Sequence, residues 1–345
     1  MLASAFEAAT VAFVQTPTAS VTLDDVATAA GVSTATVSRF FNSPGMVAAK
    51  TAERIRAAVE ELGYIPNLLA GGLASNRTRL VAVLIPQLSG TIFSDIIEAM
   101  VAELSAAGYV AMLGLTELPH EQTGQLARAA LARRAEAIIL TSMVDVKTRA
   151  MLRRSGTTVI EIWDLPEDPV DMAIGFSHRA IGRDLARFVR NRGYVRPHVI
   201  TAVGSRAQMR RDAFVAEWQA GGGGEPTESK VDIPTRYGQA RSCFAEMRRM
   251  PEMPDVIVCG SDLLAQGLIV EANAAGLRVP DDVAVIGFGN TRLADEMRPT
   301  ISSVDIDGAR IAREVVGVLE RRASGEAHGP VHVDVGFRLI ARESA

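Results

Sequence analysis

Short polar side chains and one arginine are concentrated in residues 33–39. Hydroxyl groups and a guanidinium at this spacing can hydrogen-bond phosphate oxygens and the edges of base pairs. An arginine such as Arg39 can donate two hydrogen bonds to O6 and N7 of guanine, a contact worth about 1–3 kcal/mol of base discrimination. This chemistry requires a helix with the following residues on its outer face: Thr34, Ala35, Thr36, Ser38 and Arg39.

The residues around this run predict two short helices joined by a tight turn. Thr22 and Ser33 are favourable N-caps for the two helices. Gly31 suits the turn between them because a positive φ costs least at glycine. The apolar positions are Leu23, Val26, Ala27 and Ala30 in the first helix and Val37, Phe40 and Phe41 in the second. This pattern is typical of a helix-turn-helix whose second helix enters a DNA major groove; the alternative is a buried helical hairpin at the start of an enzyme.

A third amphipathic helix and a linker follow. The apolar side of this helix is formed by Ile55, Ala58, Val59 and Leu62. Residues 63–67 end the helix, and residues 68–75 predict a further short, weak helix that contains Gly71 and Gly72. Glycine disfavours a helix by about 1 kcal/mol relative to alanine. We therefore predict an all-α domain over residues 21–64 and a linker over residues 65–78.

From Leu80 onward short apolar runs alternate with amphipathic helices. Residues 80–86 form a continuous apolar run, which is typical of a strand buried on both faces of a parallel sheet. Predicted strands and helices then alternate as far as Phe288. Such alternation predicts a doubly wound α/β core over residues 79–345, long enough for two similar halves.

Composition is typical of a globular protein. Of 345 residues, 48% are hydrophobic and 22% are charged, and the net charge of −4 excludes a uniformly basic nucleic-acid coat protein. Cys243 and Cys259 are isolated thiols, which favours a reducing compartment and argues against a metal or redox role. No apolar run has the length of a membrane span, so we expect a cytoplasmic protein without a membrane partner. Residues 1–20 are expected to be a disordered extension or the result of a misplaced start codon.

The sequence lacks the residue patterns of enzymes. Four glycines at residues 221–224 lack the preceding strand and the following helix that a phosphate-binding loop requires. The histidines are scattered without metal-ligand spacing, and no serine lies in a nucleophile elbow. We therefore predict that the chain is not an enzyme and has no cofactor and no metal site.

Three segments carry a family resemblance: VTLDDVATAAGVSTATVSRFFN at residues 21–42, AAKTAERIRAAVEELGYIPN at 48–67 and GFRLIARES at 336–344. They resemble the lactose-repressor (LacI/GalR) family of transcription regulators, and the resemblance covers about residues 21–345. It implies a repressor that binds DNA sequence-specifically, with a core built like the two-lobed clamp of periplasmic binding proteins. The first lobe would comprise about residues 79–176 and 304–323, and the second lobe about residues 177–303 and 324–345.

The resemblance also assigns candidate DNA contacts in the helix-turn-helix. Thr34 and Ala35 lie where the family reads base edges, and Arg39 follows one turn later. Ala35 departs from the larger polar residues often found there, which leaves the outer bases of the operator open. The residues suited to phosphate contacts are Thr22, Ser33, Thr36, Ser38 and Asn42.

Residues 67–75 resemble the family's hinge helix, so the linker over residues 65–78 is the expected hinge. Leu73 matches the leucine that wedges into the minor groove, and Ala70 lies beside it; Asn67 begins the segment. Because two glycines weaken this helix, we predict that it is unfolded off DNA and folds on binding. An ordinary interdomain linker is the alternative.

Effector-binding residues are expected where strand ends of the two lobes face each other. By resemblance the candidates are Ser89, Phe93, Thr141, Asp164, Phe176, His178, Arg210, Ser261, Asp262 and Asn290. For Phe93 and Phe176 the alternative is core packing. For Asp164 and Arg210 the alternative is a salt bridge that closes the lobes.

The effector expected from these residues is a sugar or a sugar acid. Asn290 stands where sugar-binding members often carry aspartate, whereas Arg210 is retained, and arginine pairs with carboxylate through two hydrogen bonds. Several stretches look most like gluconate-repressor members, so an aldonate such as gluconate is our hypothesis. The expected partners are a second copy of the chain and a pseudo-palindromic double-stranded operator, because one recognition helix reads only a half-site. The alternative function is a solute-binding protein of a sugar transporter.

Overall fold

The computed structural model describes residues 21–65, 78–86, 91–116, 121–326 and 331–345. The chain divides into two units, with the boundary between Thr78 and Arg79. The predicted extension at residues 1–20 and the predicted hinge helix lie outside the described residues. Four candidate site residues also lie outside them: Asn67, Ala70, Leu73 and Ser89.

The described part of the N-terminal unit contains three α-helices and a short 3-10 turn. They are α1 (Leu23–Ala30), α2 (Thr34–Asn42), the turn at Pro44–Met46, and α3 (Ala49–Leu62). Thr22 caps α1 in a reciprocal arrangement, since its Oγ1 accepts from the N–H of Asp25 while the Asp25 carboxylate accepts from the N–H of Thr22. Gly31 ends α1 with a φ of 61°, which confirms the predicted turn.

A small apolar core holds these helices together. The buried residues are Val26, Ala27 and Ala30 of α1, Val37 of α2, and Ile55 and Ala58 of α3. Phe40 and Phe41 are partly buried against this cluster. The ring centroids of Phe41 and Tyr64 are 6.0 Å apart. The predicted inward face of α2 is therefore confirmed, and its opposite face is left for contacts outside the unit.

The described residues of the second unit form two six-stranded sheets. The first has the order β11-β5-β4-β3-β1-β2, and the pairings between its strands are all parallel. Its strands are β1 (Leu80–Ile85), β2 (Val110–Leu115), β3 (Ala137–Leu140), β4 (Thr158–Ile162), β5 (Met172–Gly175) and β11 (His332–Asp334). Strands β3, β4 and β5 are buried almost throughout, as expected for parallel strands covered on both faces.

The second sheet has the order β12-β10-β9-β8-β6-β7, and only β12 runs antiparallel to its neighbour. Its strands are β6 (Pro197–Ala202), β7 (Thr227–Val231), β8 (Val256–Cys259), β9 (Ala284–Phe288), β10 (Ser302–Asp305) and β12 (Arg338–Ile340). Two sheets that are parallel except at β12, with interspersed helices, confirm the predicted α/β core.

Nine described helices accompany these sheets. They are α4 (Thr91–Ala106), α5 (Glu121–Ala132), α6 (Val146–Ser155), α7 (His178–Asn191), α8 (Ser205–Ala220), α9 (Tyr237–Met247), α10 (Asp262–Ala274), α11 (Arg292–Glu296) and α12 (Gly308–Ala323). Helix α12 packs on α4, so it belongs to the first lobe. Helices α7 and α8 cross closely at Gly182, where a Cβ atom would lie 2.1 Å from the carbonyl oxygen of Arg210.

The chain path between the lobes differs from the prediction near the C-terminal end of the core. The predicted second-lobe segment 324–345 is divided, because β11 pairs with β5 of the first sheet and only β12 pairs with β10 of the second. Strand β10 of the second sheet ends at Asp305, close to the crossing predicted near Ser303. The division of segment 324–345 was not predicted because β11 and β12 are strands of three residues, whose partners depend on the path of the whole chain.

Candidate DNA-binding and effector-binding sites

The outer face of α2 carries the candidate base-reading residues. Ala35, Arg39 and Asn42 are exposed, and Thr34 is partly buried at the start of the helix. Arg39 makes no ion pair with any described residue, so its guanidinium is available for an external partner. The structure therefore places Thr34, Ala35 and Arg39 on one accessible helix, as the base-reading role requires.

The candidate phosphate contacts of α2 are tied to the helix itself. Ser33 Oγ accepts from the N–H of Thr36 at 3.2 Å and lies 2.9 Å from Thr36 Oγ1. Asn42 Nδ2 donates to the carbonyl oxygen of Ser38 at 2.9 Å and lies 3.2 Å from Ser38 Oγ. These contacts fix the side chains in place and leave part of their hydrogen-bonding capacity free.

Thr22 differs from these residues because both of its donors are in use. Its backbone N–H and its hydroxyl both donate to Asp25 Oδ2, at 2.8 Å and 2.7 Å. These bonds hold the pKa of the exposed Asp25 carboxyl below its usual value. Thr22 therefore caps α1 and has no donor left for a phosphate while the cap is intact.

In the core, a cluster of polar side chains lies at the carboxyl ends of strands in the first lobe and at the start of α7 and α8. Asp164 follows β4, and a Cβ atom at Gly175 would lie 2.3 Å from the Asp164 carbonyl oxygen, so only glycine fits there. Trp163 precedes Asp164 with a φ of 72°, an uncommon conformation for a bulky residue. The turn after β4 thus directs Asp164 toward the other lobe.

Three aromatic rings and His178 form a packed series beside this turn. The centroid distances are 5.2 Å for Phe93–Trp163, 5.1 Å for Trp163–Phe176 and 4.9 Å for Phe176–His178. Phe176 is completely buried, so the structure supports core packing for it and not contact with an effector. Phe93 is only partly buried at the end of the series and remains a candidate contact.

Arg210 of α8 is bonded to His178 and not to a carboxylate. Its Nη1 donates to His178 Nδ1 at 3.0 Å, which leaves His178 Nε2 to donate to the carbonyl oxygen of Trp163 at 3.0 Å. Burial, followed by the charges of Arg210 and Arg206, lowers the pKa of His178 to about 2, so the imidazole is neutral. The Arg210 guanidinium also lies 4.1 Å from the ring centroid of Phe288.

Arg210 keeps its charge in this setting. Burial lowers its pKa to about 10, with the nearby Arg206 adding to the effect, so it remains protonated near neutral pH. No described carboxylate lies within ion-pair distance of its guanidinium. An uncompensated cation in a half-buried position is a natural site for an anionic ligand.

Arg206 is a functional candidate that sequence reasoning missed. Its Nε lies 3.3 Å from Asp164 Oδ2, and its Nη1 donates to the carbonyl oxygen of Thr141. The predicted alternative of a lobe-closing ion pair at Asp164 thus exists, but its cation is Arg206 and not Arg210. The available signal was the spacing, because residues four apart on a helix share one face.

Five predicted effector residues are buried with their hydrogen bonds already made or their rings packed, and His178, described above, is one of them. Thr141 Oγ1 donates to the carbonyl oxygen of Leu84 at 3.1 Å, and Ser261 Oγ accepts from the N–H of Leu264 as the N-cap of α10. Asp262 is fully buried; it accepts from the N–H of Thr291 at 2.7 Å and from Ser303 Oγ at 2.6 Å. In this conformation the structure therefore does not place these residues at an open surface: Thr141, Phe176, His178, Ser261 and Asp262.

The buried carboxylate of Asp262 restricts which residues fit beside it. Burial raises its pKa, against the lowering effect of its hydrogen bonds. A Cβ atom at Gly287 would lie 2.1 Å from Asp262 Oδ1, so the carboxylate requires glycine at this place in β9. Asn290 follows with a φ of 47°; its Nδ2 donates to Asp305 at 2.9 Å, and its buried Oδ1 has no described partner. Asn290 therefore remains a candidate ligand contact.

The part of the chain that the structure describes contains no group of three or more His, Cys, Asp or Glu side chains placed to hold a metal ion. Both cysteines are buried and unpaired. None of its helices is long and apolar enough to cross a membrane.

Comparison with known proteins identifies the family. The profile described as bacterial regulatory proteins, lacI family, matches residues 22–67, and the periplasmic binding protein-like domain matches residues 186–345. The HTH-type transcriptional regulator GntR of Pseudomonas aeruginosa is 31% identical over 94% of this chain and 95% of its own length. The chain belongs to the lacI family of bacterial regulatory proteins. GntR of Escherichia coli strain K12 is 29% identical over 92% of this chain and 96% of its own length.

Solved structures of this lacI family show the same architecture. A lacI-family regulator from Silicibacter pomeroyi is 28% identical, with a TM-score of 0.85 over 94% of this chain and 99% of that chain. The lac repressor dimer bound to operator and the anti-inducer ONPF is 24% identical and has a TM-score of 0.83, over 94% of this chain and 99% of that one. The fold class and the prediction of a regulator, and not an enzyme, are confirmed.

Proposed function

We propose that this lacI-family regulator acts in the cytoplasm as a repressor, binds a pseudo-palindromic operator as a homodimer, and responds to an aldonate such as gluconate. The observation that carries the effector assignment is the half-buried guanidinium of Arg210, for which the described residues provide no carboxylate partner. The DNA-binding role is supported by the exposed outer face of α2.

Operator recognition is assigned to α2 in the major groove. Thr34 and Ala35 lie in its first turn and Arg39 one turn later, so these side chains would face successive base pairs. Ser33, Thr36, Ser38 and Asn42 would contact phosphates beside it. Leu73, with Asn67 and Ala70 near it, would enter the minor groove from the hinge.

A dimer is supported by an apolar edge of the first lobe. Strand β2 is at the edge of its sheet and exposes three apolar side chains, Val110 at 58%, Leu113 at 44% and Leu115 at 40%. An exposed apolar edge strand is normally covered by another chain. The lac repressor, which shares this fold, is a dimer in its crystal structure with operator.

An acidic effector is favoured over a neutral sugar on electrostatic grounds. A ligand that enters between the lobes removes water from Arg210, and a buried charge without a counter-charge is costly. A carboxylate can repay this cost through the N–H groups that Arg210 does not donate to His178. Ligand-dependent closure of the lobes would shift the hinge between operator-binding and free states.

Fluorescence anisotropy with a labelled duplex from upstream of the protein's own gene tests this proposal. We expect gluconate, and not glucose, to change the operator affinity of the wild-type chain. Arg210→Gln should weaken the apparent affinity for gluconate by about 2–5 kcal/mol, the usual effect of truncating one partner of a buried charge pair. Binding that no aldonate affects would contradict the effector assignment, and the absence of any preference over random duplex would contradict the operator-binding role.

A further inference from the structure

The contact between Arg206 and Asp164 joins the two lobes. Arg206 lies in the first turn of α8 in the second lobe, whereas Asp164 follows β4 of the first lobe. The two side chains are 20% and 16% exposed, so the pair is only partly screened by water. Beside it, Ser205 Oγ lies 3.1 Å from Met143 Sδ, a second contact between the lobes.

The charges around this contact balance except at one residue. Asp164 offsets Arg206, and Arg149 offsets Glu161 of β4 at 3.4 Å. His178 is neutral. Arg210 alone among the arginines of this described cluster has no carboxylate within ion-pair distance; the charge of Asp164 acts on it only from farther away. The cluster therefore offers a ligand one positive charge without a direct partner.

We propose that Asp164, by holding the guanidinium of Arg206, restricts the effector to a single negative charge. This inference rests on the proposed function and deepens it, because it concerns the charge of the ligand that Arg210 binds. A ligand with one carboxylate can pair with Arg210 and leave the contact between Arg206 and Asp164 intact. A ligand with a second carboxylate or a phosphate must either share Arg206 with Asp164, which is a like-charge contact, or break the connection between the lobes.

The same geometry predicts how the selectivity can be reversed. Asp164→Asn keeps the size of the side chain and one oxygen acceptor but removes the negative charge. Arg206 then has no ion-pair partner and keeps its hydrogen bond to the carbonyl oxygen of Thr141. Two guanidinium groups one helical turn apart, at Arg206 and Arg210, suit a dianion. Asp164 is therefore a specificity-determining residue that acts through Arg206.

Isothermal titration calorimetry of the full chain with gluconate and glucarate tests this role, since the two acids differ by one terminal carboxylate. We expect the wild type to bind gluconate more tightly than glucarate, and Asp164→Asn to shift the ratio toward glucarate by about tenfold or more. The shift should disappear in Asp164→Asn combined with Arg206→Gln. Glu271→Gln is the matched control, because it removes a carboxylate from the pair of Arg241 and Glu271 on α9 and α10, away from this cluster.

A measurement that uses no aldonate tests the role of Asp164 separately from the proposed aldonate effector. Sulfate, compared with chloride at equal ionic strength, should raise the unfolding temperature of Asp164→Asn more than that of the wild type or of the double variant. Equal sulfate effects, an unchanged ligand ratio in Asp164→Asn, or a shift that persists without Arg206 would each overturn the inference. A wild type that binds neither acid would contradict the aldonate effector, and the sulfate comparison would still decide the role of Asp164.

Discussion

The N-terminal unit and the core hold their candidate functional residues in different ways. On α2 two of the side chains proposed to read DNA, Ala35 and Arg39, are exposed and Thr34 is partly buried, and an apolar face on the opposite side fixes their helix. In the core, Asp164, Arg206 and Arg210 are partly buried, and contacts between two lobes position them. The first arrangement is complete within one small unit, whereas the second exists only when distant parts of the chain are folded together.

This difference indicates which predicted residues act on a ligand. A buried polar group whose hydrogen bonds are complete, such as Asp262, stabilises the fold and has little left to offer a ligand. A half-buried group without a counter-charge, such as Arg210, is costly to keep and gains from a ligand. In the N-terminal unit the same distinction separates Thr22, whose donors are in use, from Arg39, whose guanidinium is free of described ion pairs.

Arg39→Ala is the sharpest test of the exposed face of α2. We expect it to weaken binding to the operator by about 1–3 kcal/mol because a two-pronged contact with guanine is lost. Anisotropy titrations with operator and scrambled duplex at one salt concentration measure the effect. Arg56→Ala, which removes an exposed arginine from α3, should affect both duplexes alike. Equal weakening of both duplexes by Arg39→Ala would instead identify Arg39 as a phosphate contact.

Local patterns predicted most of the fold because they depend on nearby residues. The turn at Gly31, the inward face of α2 and the buried strands β3 to β5 follow from spacing and from continuous apolar runs. Strand β7 was missed because Thr227–Val231 is largely polar, which an edge strand tolerates. Helix α6 was missed because only Thr148 and Leu152 of its residues are buried.

The candidate site was predicted less completely because its contacts are long-range. Asp164 and Arg210 were identified, but the ion pair of Asp164 is made with Arg206, a residue 42 positions away in sequence. Burial of Phe176 and of Asp262 depends on how both lobes pack, and no pattern near these residues reports it. Likewise, the placement of β11 in the first sheet is decided by its pairing with β5, far earlier in the chain.

The acid stability of the core should reveal the neutral state of His178. Its pKa is lowered to about 2 in the folded chain by burial and by Arg210 and Arg206, whereas an unfolded histidine titrates near about 6.5. As pH falls below the unfolded value, the unfolded chain binds a proton that the folded chain does not, so stability decreases from about pH 6.5 downward. Between pH 7 and pH 5 this lowers the free energy of unfolding of the core by about 2 kcal/mol.

Urea unfolding at the two pH values measures this loss in the wild type and in His178→Asn. The variant should lose less stability on acidification, whatever its stability at pH 7. Buried His198, whose pKa is about 4, contributes with the same sign between about pH 6.5 and 4 and remains in both proteins. Residues 21–65 contain no histidine, so the N-terminal unit should lack this dependence. Equal losses in the two proteins would contradict a neutral His178.

Thr22→Ala tests the opposite unit with a smaller expected effect. Removing the cap oxygen should destabilise α1 by about 1 kcal/mol, which lowers the protection of its amides from hydrogen exchange about fivefold. Thr22→Ser keeps the oxygen and should retain protection, while β1 of the core should be unaffected in both variants. Because both donors of Thr22 are directed at Asp25, weaker operator binding in Thr22→Ala should accompany lost protection of α1. Weaker binding with unchanged protection would show that the hydroxyl leaves Asp25 and contacts a phosphate on DNA.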